Sequence, residues 1–170
     1  HTIKNINTWA KPQWVLPSFL NFPSTDYLYK EPYGKVLIIA PWNYPFNLAI
    51  NPLAHAIAAG NAVILKPSEL SPNTSSFIKK MILFLFDESE VAVFEGDATV
   101  STYLLDQKFD HIFFTGSPAI GKVVMQAAAK HLTSVTLELG GKSPAIIDSN
   151  VDIISTAKKI AWGKFLNNGQ

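Results

Sequence analysis

Apolar residues in this chain gather into short unbroken runs, and between the runs the spacing turns helical. Lys35-Val36-Leu37-Ile38-Ile39-Ala40 is the first such run, and 62–65, 91–94, 111–114 and 134–139 follow it. Unbroken apolar character at strand length marks strands covered on both faces, as in parallel sheets. Ala145-Ile146-Ile147 reads as a sixth strand. Helical spacing fills 47–59, 72–86, a short stretch ending near 105, 118–130 and 151–165. Gly60-Asn61 stops the first of these helices in C-cap fashion. Ser71-Pro72 and Ser117-Pro118 each place a capping hydroxyl before a first-turn proline. Strands alternating with helices at this spacing predict β-α-β units. The fold class is therefore α/β, an open, mostly parallel, doubly wound sheet with helices on both faces in three layers, αβα.

In such sheets ligands bind beyond the carboxyl ends of the strands. The segments after the first five strands fall at that one edge, so Asn43, Lys66, Glu69, Gly96, Ser117 and Glu138 are expected to converge there. Residues 1–33 break the pattern. Pro12, Pro17, Pro23 and Pro32 stand among Trp9, Trp14, Phe19, Phe22, Tyr27, Tyr29 and Tyr33. That density of proline reads as an irregular arm, either packing on another domain or subunit or meandering over its own domain, with a short extended piece at 27–30.

Composition narrows the function classes. Of 170 residues, 48% are hydrophobic and 16% charged, with a formal net charge of +1. Without a basic run or an aromatic-interleaved basic patch, nucleic acid and anionic membranes are not expected partners. No apolar run approaches membrane-spanning length, and the opening His1-Thr2-Ile3-Lys4 leads into no signal-peptide core. The chain has no cysteine. Disulfides, thiolate metal sites and a thiol nucleophile are therefore absent from these residues. His55, His111 and His131 lack metal-ligand spacing and read as structural or surface residues, so no metal site is expected.

Chemistry concentrates in Val135-Thr136-Leu137-Glu138-Leu139-Gly140-Gly141-Lys142-Ser143-Pro144. A carboxylate between apolar neighbours reads as buried, and burial raises a carboxylate's pKa toward the range useful to a general base. The plain alternative is a strand-end Glu beside a turn. Thr115-Gly116-Ser117-Pro118-Ala119-Ile120-Gly121 resembles an anion-binding turn at a helix N-terminus, or an ordinary cap. It lacks both the GxGxxG fingerprint and the lysine of a P-loop. Lys66 and Glu69 follow the second strand, where ribose-reading groups sit in doubly wound nucleotide sites; a surface ion pair is the alternative. A carboxylate there would repel a 2′-phosphate. Asn43, between Trp42 and Tyr44, offers an amide that could serve a developing oxyanion or simply a turn.

Taken together, Pro41-Trp42-Asn43-Tyr44-Pro45, Ala59 to Glu69, Phe114-Thr115-Gly116-Ser117 and Leu137 to Pro144 resemble the aldehyde dehydrogenase superfamily in order and spacing. The resemblance runs from about Pro23 to Gln170. Phe109 to Gly116 and Trp42 to Asn47 lean toward its class 3, fatty-aldehyde-like branch. It implies a Rossmann-like NAD(P)-binding domain over 34–170. It also implies oxidation of an aldehyde to a carboxylic acid through a thiohemiacetal and thioester on a cysteine. Asn43 matches the oxyanion amide and Glu138 the base that activates water for thioester hydrolysis. The implied cofactor contacts are Ala40, Pro41, Trp42, Lys66, Glu69, Gly96, Thr115, Gly116, Ser117, Ile120, Leu139 and Gly140. NAD is the expected cofactor, with NADP possible because Lys66 offsets Glu69. A cytoplasmic homodimer acting on a small aldehyde is implied for the parent.

The departure lies at the end. Asn167-Asn168-Gly169-Gln170 resembles the start of the family's nucleophile motif, whose cysteine is expected two positions further on. As it stands the chain carries the cofactor half and the base without the nucleophile, so on its own it is expected to be inactive and marginal or self-associating. Two other readings compete. One is a non-catalytic nucleotide-binding or interaction module. The other is a reductive relative acting on acyl-phosphate or acyl-CoA substrates, which Glu138 argues against because acylating members need no hydrolytic base.

Overall fold

The structure, a computed structural model, describes residues 1–169. They fall into two compact units, residues 1–140 and a second that begins at Gly141.

The sheet follows from the apolar runs. Five parallel strands, β3 (Lys35–Ile39), β4 (Ala62–Lys66), β5 (Val91–Val93), β6 (His111–Gly116) and β7 (Ser134–Leu139), stand in the order β5-β4-β3-β6-β7. The chain winds one way from β3 to β5, then crosses back to β6 and continues to β7. Right-handed crossovers therefore put the helices of the two halves of the winding on opposite faces. Helices α2 (Asn47–Ala58) and α3 (Pro72–Leu85) cover one face, where Ala49, Leu53, Ile78 and Ile82 pack on Val36, Ile38, Val63 and Leu65. Helices α4 (Ala98–Leu105) and α5 (Pro118–Ala129) cover the other, where Leu104, Leu105, Val124 and Ala128 pack on Leu37, Ile39, Ile112 and Phe114. Strand β3 is apolar throughout its centre because it contributes alternately to both cores. The three-layer αβα reading holds.

Local signals hold at Gly60 and Ser117 and fail at Ser71. Gly60 ends α2 at φ +87°. Asn61 beside it accepts from Gly34 N–H at 3.0 Å and donates to Ala56 O at 2.9 Å, which ties the end of α2 to the start of β3. Ser117 caps α5 by accepting from Ile120 N–H. Ser71 occupies the cap position of α3 but does not cap it; its hydroxyl turns back to the Ser68 carbonyl.

Three expectations need correction. The arm is not irregular throughout. Residues 2–9 contain no proline, and they form helix α1 (Thr2–Trp9), linked to α2 through Thr2 Oγ1 and His55 Nε2 at 3.4 Å. Strands β1 (Gln13–Val15) and β2 (Asp26–Leu28) then pair antiparallel as a separate two-stranded sheet. This arm leaves Phe19, at 95% exposure, and Trp14, Leu20 and Phe22 open. Ala145-Ile146-Ile147 forms no strand. No other strand among the described residues of the second unit could pair with it, and Ile146 is 96% exposed. Glu138 is exposed rather than buried, because β7 is the edge strand of the sheet.

The second unit holds α6 (Ile153–Phe165), which starts two residues later than expected because Asp152 caps it, accepting from Ser155 N–H at 2.6 Å. Lys164 Nζ donates to Ser143 O. Asn167 and Asn168 adopt left-handed backbone, at φ 50° and 58°; of the nucleophile-like tetrad, Gln170 lies outside the described residues. No helix among the described residues is long and apolar enough to cross a membrane.

Candidate functional site: two sides of one strand edge

The five parallel strands deliver their carboxyl ends to one edge, and every candidate residue lies at or just past it. Register then sorts them. Residues paired directly across a ladder point to the same face. Thr115 pairs with Glu138, and both share the α2/α3 face with Phe113 and Ala40. Lys66 pairs with Ile39, and so lies on the α4/α5 face with Phe114 and Leu137. The expected convergence is therefore real at the level of the edge, but it is split by the sheet into two sides.

On the α4/α5 side the groups are tightly placed. Lys66 is 2% exposed, and its Nζ donates to Glu69 Oε2 at 2.7 Å. That hydrogen bond, ahead of any other cause, holds the Glu69 carboxyl below its ordinary pKa, while burial opposes it. The Glu69 side chain remains 43% exposed, so the pair presents a carboxylate to solvent on a buried lysine. Gly96, at φ +140°, lies where a Cβ would come within 2.4 Å of Val100 Cγ2. Only glycine permits that approach at the mouth of α4. Asp97 then caps α4, accepting from Thr99 N–H at 2.9 Å, which lowers its pKa. A Cβ on Gly116 would strike the Phe114 ring at 2.5 Å. One on Gly121 would come within 2.9 Å of Leu139 Cδ2, so α5 packs directly on the end of β7. Ser117 opens α5 with Pro118 behind it, and Ile120 is half exposed above. A helix N-terminus, a buried cation with a hydroxyl-accepting carboxylate, and bare glycine backbone together suit the phosphate and ribose parts of a dinucleotide.

The α2/α3 side is more open. Glu138 stands exposed at the edge, its backbone in the ladder with β6, and its carboxylate engages in no hydrogen bond among the described residues. Asn43 lies in the loop from Ala40 to α2, beside half-exposed Trp42 and Tyr44. Its Oδ1 is buried without a hydrogen-bond partner among the described residues. Rotating the amide about Cβ–Cγ exchanges Oδ1 for Nδ2, and puts a donor in the same place. A buried amide end without a partner is costly unless a ligand completes it. Gly140 and Gly141 have open space where a Cβ would stand.

His111 is structural, as its lack of metal-ligand spacing suggests, but its role is specific: it bonds two side chains of β7, at Ser134 and Thr136, and stacks on Tyr33. Its signal was present in the alternation Ser134, Thr136, Glu138, which puts three polar residues on one face of a strand otherwise read as buried.

The comparisons agree with this geometry. The aldehyde dehydrogenase family model matches residues 14–170. The chain is 56% identical over 168 residues to the putative aldehyde dehydrogenase AldX of Bacillus subtilis (strain 168), covering 99% of this chain and 38% of that protein. It is 52% identical over 168 residues to mouse aldehyde dehydrogenase family 3 member B3, again over 99% of this chain and 35% of the relative. Identity to the mouse dimeric, NADP-preferring aldehyde dehydrogenase is 50% over 169 residues, 99% of this chain and 37% of that one. Among solved structures, the substrate-bound state of Staphylococcus aureus AldH superposes with a TM-score of 0.95 at 48% identity, over 99% of this chain and 37% of its own. The Mycobacterium tuberculosis aldehyde dehydrogenase complexed with NAD+ does so at 0.84 and 30%, over 99% and 36%. The chain thus spans little more than a third of the length of these relatives. With its four motifs, its sheet order and the family model over nearly all its length, the chain belongs to the aldehyde dehydrogenase family, in the company of its family 3 members.

Proposed function

We propose that this chain is the nucleotide-binding part of an NAD(P)-dependent aldehyde dehydrogenase, with an arm over 1–33 and the NAD(P)-binding domain over 34–170. The observation that carries the reading is the division of one strand edge into a tightly packed polar side and an open side bearing Asn43 and Glu138. On the packed side, Lys66 and Glu69 would hold the adenine ribose, and Gly96 would let backbone approach the adenosine end. Thr115, Gly116, Ser117 and Ile120 would meet the pyrophosphate at the start of α5. Ala40, Pro41, Trp42, Leu139 and Gly140 would frame the nicotinamide end. Glu69 favours NAD, because a 2′-phosphate beside its carboxylate is repelled; Lys66 tempers that repulsion and leaves room for NADP. Bound NAD(P)+ supplies the hydride acceptor for aldehyde oxidation.

On the open side, the Asn43 amide donates to the oxygen that becomes anionic when a nucleophile adds to the carbonyl. Glu138 takes the proton of the water that attacks the acyl group and releases the acid. The nucleophilic thiol is supplied by a cysteine beyond Gln170. The working enzyme is a cytoplasmic homodimer, in keeping with a mouse relative described as dimeric.

The test is aldehyde-dependent reduction of NAD+ by the complete protein that carries this sequence, alongside cofactor binding by the 170-residue chain alone. Turnover by the first and binding without turnover by the second is the expected result. A complete protein that reduces neither NAD+ nor NADP+ with any aldehyde overturns the reading.

A further inference from the structure

Strand β7 carries the candidate base, and among the described residues it is paired on one side only. Val135 and Leu137 pack its α4/α5 face on the core, and that face already specifies the register; a slip of one residue would turn Glu138 to the opposite face. The polar face that carries Glu138 has its own fastening.

His111 opens β6 directly opposite Ser134, on the face that Glu138 shares. Its Nδ1 lies 2.8 Å from Ser134 Oγ and its Nε2 lies 3.1 Å from Thr136 Oγ1. The protons can be placed. Ser134 Oγ donates to the Asp110 carbonyl at 3.1 Å, and a carbonyl only accepts. The hydroxyl proton is therefore spent, and toward His111 the Ser134 oxygen acts as acceptor. Nδ1 must carry a hydrogen. In the neutral ring Nε2 is then the acceptor, and Thr136 donates to it. Burial lowers the His111 pKa and favours this neutral form. Tyr33 stacks on the ring at 4.6 Å and 16°, and limits its rotation. Behind it, Asp110 accepts from Lys35 N–H at 2.7 Å, so the cluster is anchored to the central strand.

We propose that His111 is a positioning residue: in its Nδ1–H tautomer it grips Ser134 and Thr136 together, fastens the polar face of β7 in the register its apolar face specifies, and so fixes where Glu138 stands. Glu138 follows Thr136 by two residues on the same face, about 7 Å along the strand. Two anchors on one ring admit one register, because a slipped strand would present Val135 to the imidazole. The consequence for catalysis rests on Glu138 being the base; the grip on β7 does not.

The experiment uses the complete protein that carries this sequence and compares it with His111→Phe and His111→Gln. Phenylalanine keeps a ring for Tyr33 and removes both nitrogens, whereas glutamine restores a donor and an acceptor. Amide hydrogen exchange over residues 134–139 should quicken about tenfold in His111→Phe, the scale of two lost hydrogen bonds, and return to within about threefold in His111→Gln. Nitrogen NMR of the unmutated protein should show His111 protonated at Nδ1 and bare at Nε2. Unchanged exchange in His111→Phe overturns the proposal, as does the opposite tautomer, which needs no variant to fold. If β7 loosens while turnover holds, the positioning stands and the assignment of Glu138 as base fails.

Discussion

The two sides of the strand edge are built on different terms. The packed side is determined locally. Lys66 and Glu69 are three residues apart and bonded to each other, and Gly96 is dictated by Val100, four residues on. The open side joins residues far apart in sequence, Asn43 and Glu138, through the placement of β3 and β7 in one sheet. A binding surface can be assembled from short stretches that each satisfy their own hydrogen bonds. On the proposed function, the reacting centre leaves the buried Asn43 amide end without a partner, at a cost the surrounding fold carries, whereas the exposed Glu138 carboxylate is met by solvent.

The sharpest way to test that contrast is Glu138→Gln, which removes the proton acceptor without changing shape. In the complete enzyme, acid release should fall by about 10²- to 10⁴-fold while NAD+ affinity, measured by calorimetry, stays within about twofold. A matching loss of affinity would merge the two sides into one. Next in size is Leu37→Ala, at the centre of β3, where the side chain is fully buried. A loss of about 2–5 kcal/mol in denaturant unfolding is expected, from the cavity and the lost transfer energy, and both sides should fail together. Smaller again, Lys66→Ala should weaken NAD+ binding by roughly tenfold, since it leaves Glu69 without its partner, and should leave acid release from a preformed acyl-enzyme unaltered.

Acid separates the two sides most gently. Burial lowers the His111 pKa, so the unfolded chain binds its proton more readily, and stability at β7 is lost as pH falls below about 6.5. The titratable groups beside that ring are Tyr33 and Asp110, and the latter is held by Lys35 N–H. Glu69 is lowered by Lys66, so its contribution is present above its ordinary value and is lost only as pH falls below about 4. Hydrogen exchange followed from pH 7 to 4 should therefore loosen residues 134–139 before it touches 62–69. The reverse order would refute the assignment of causes.

Much of this was legible in the residues. Unbroken runs at 35–40 and 62–65 announce strands buried on both faces, because a doubly covered strand has no polar side to show. Ser117-Pro118 and Gly60 mark helix ends through rules that operate within four residues. Proline spacing misled where it was averaged over 33 residues, since Thr2–Trp9 contains none and folds as a helix. Chain-local chemistry thus determined the five strands of the parallel sheet, the helix ends at Gly60 and Ser117, the α/β class and the polar kit of the carboxyl edge.

What only the tertiary structure decided is which strand stands at the edge and which face each group takes. Val135 and Leu137 look alike in a central or an edge strand, and so Glu138 read as buried until the order β5-β4-β3-β6-β7 placed it in the open. His111 and Ser134 are 23 residues apart, and the alternation Ser134, Thr136, Glu138 announces a polar face without saying that one ring of the neighbouring strand will bridge two of its hydroxyls. Periodicity reports whether a side chain alternates. It carries no information about what lies across the ladder, because that depends on where the crossover returns.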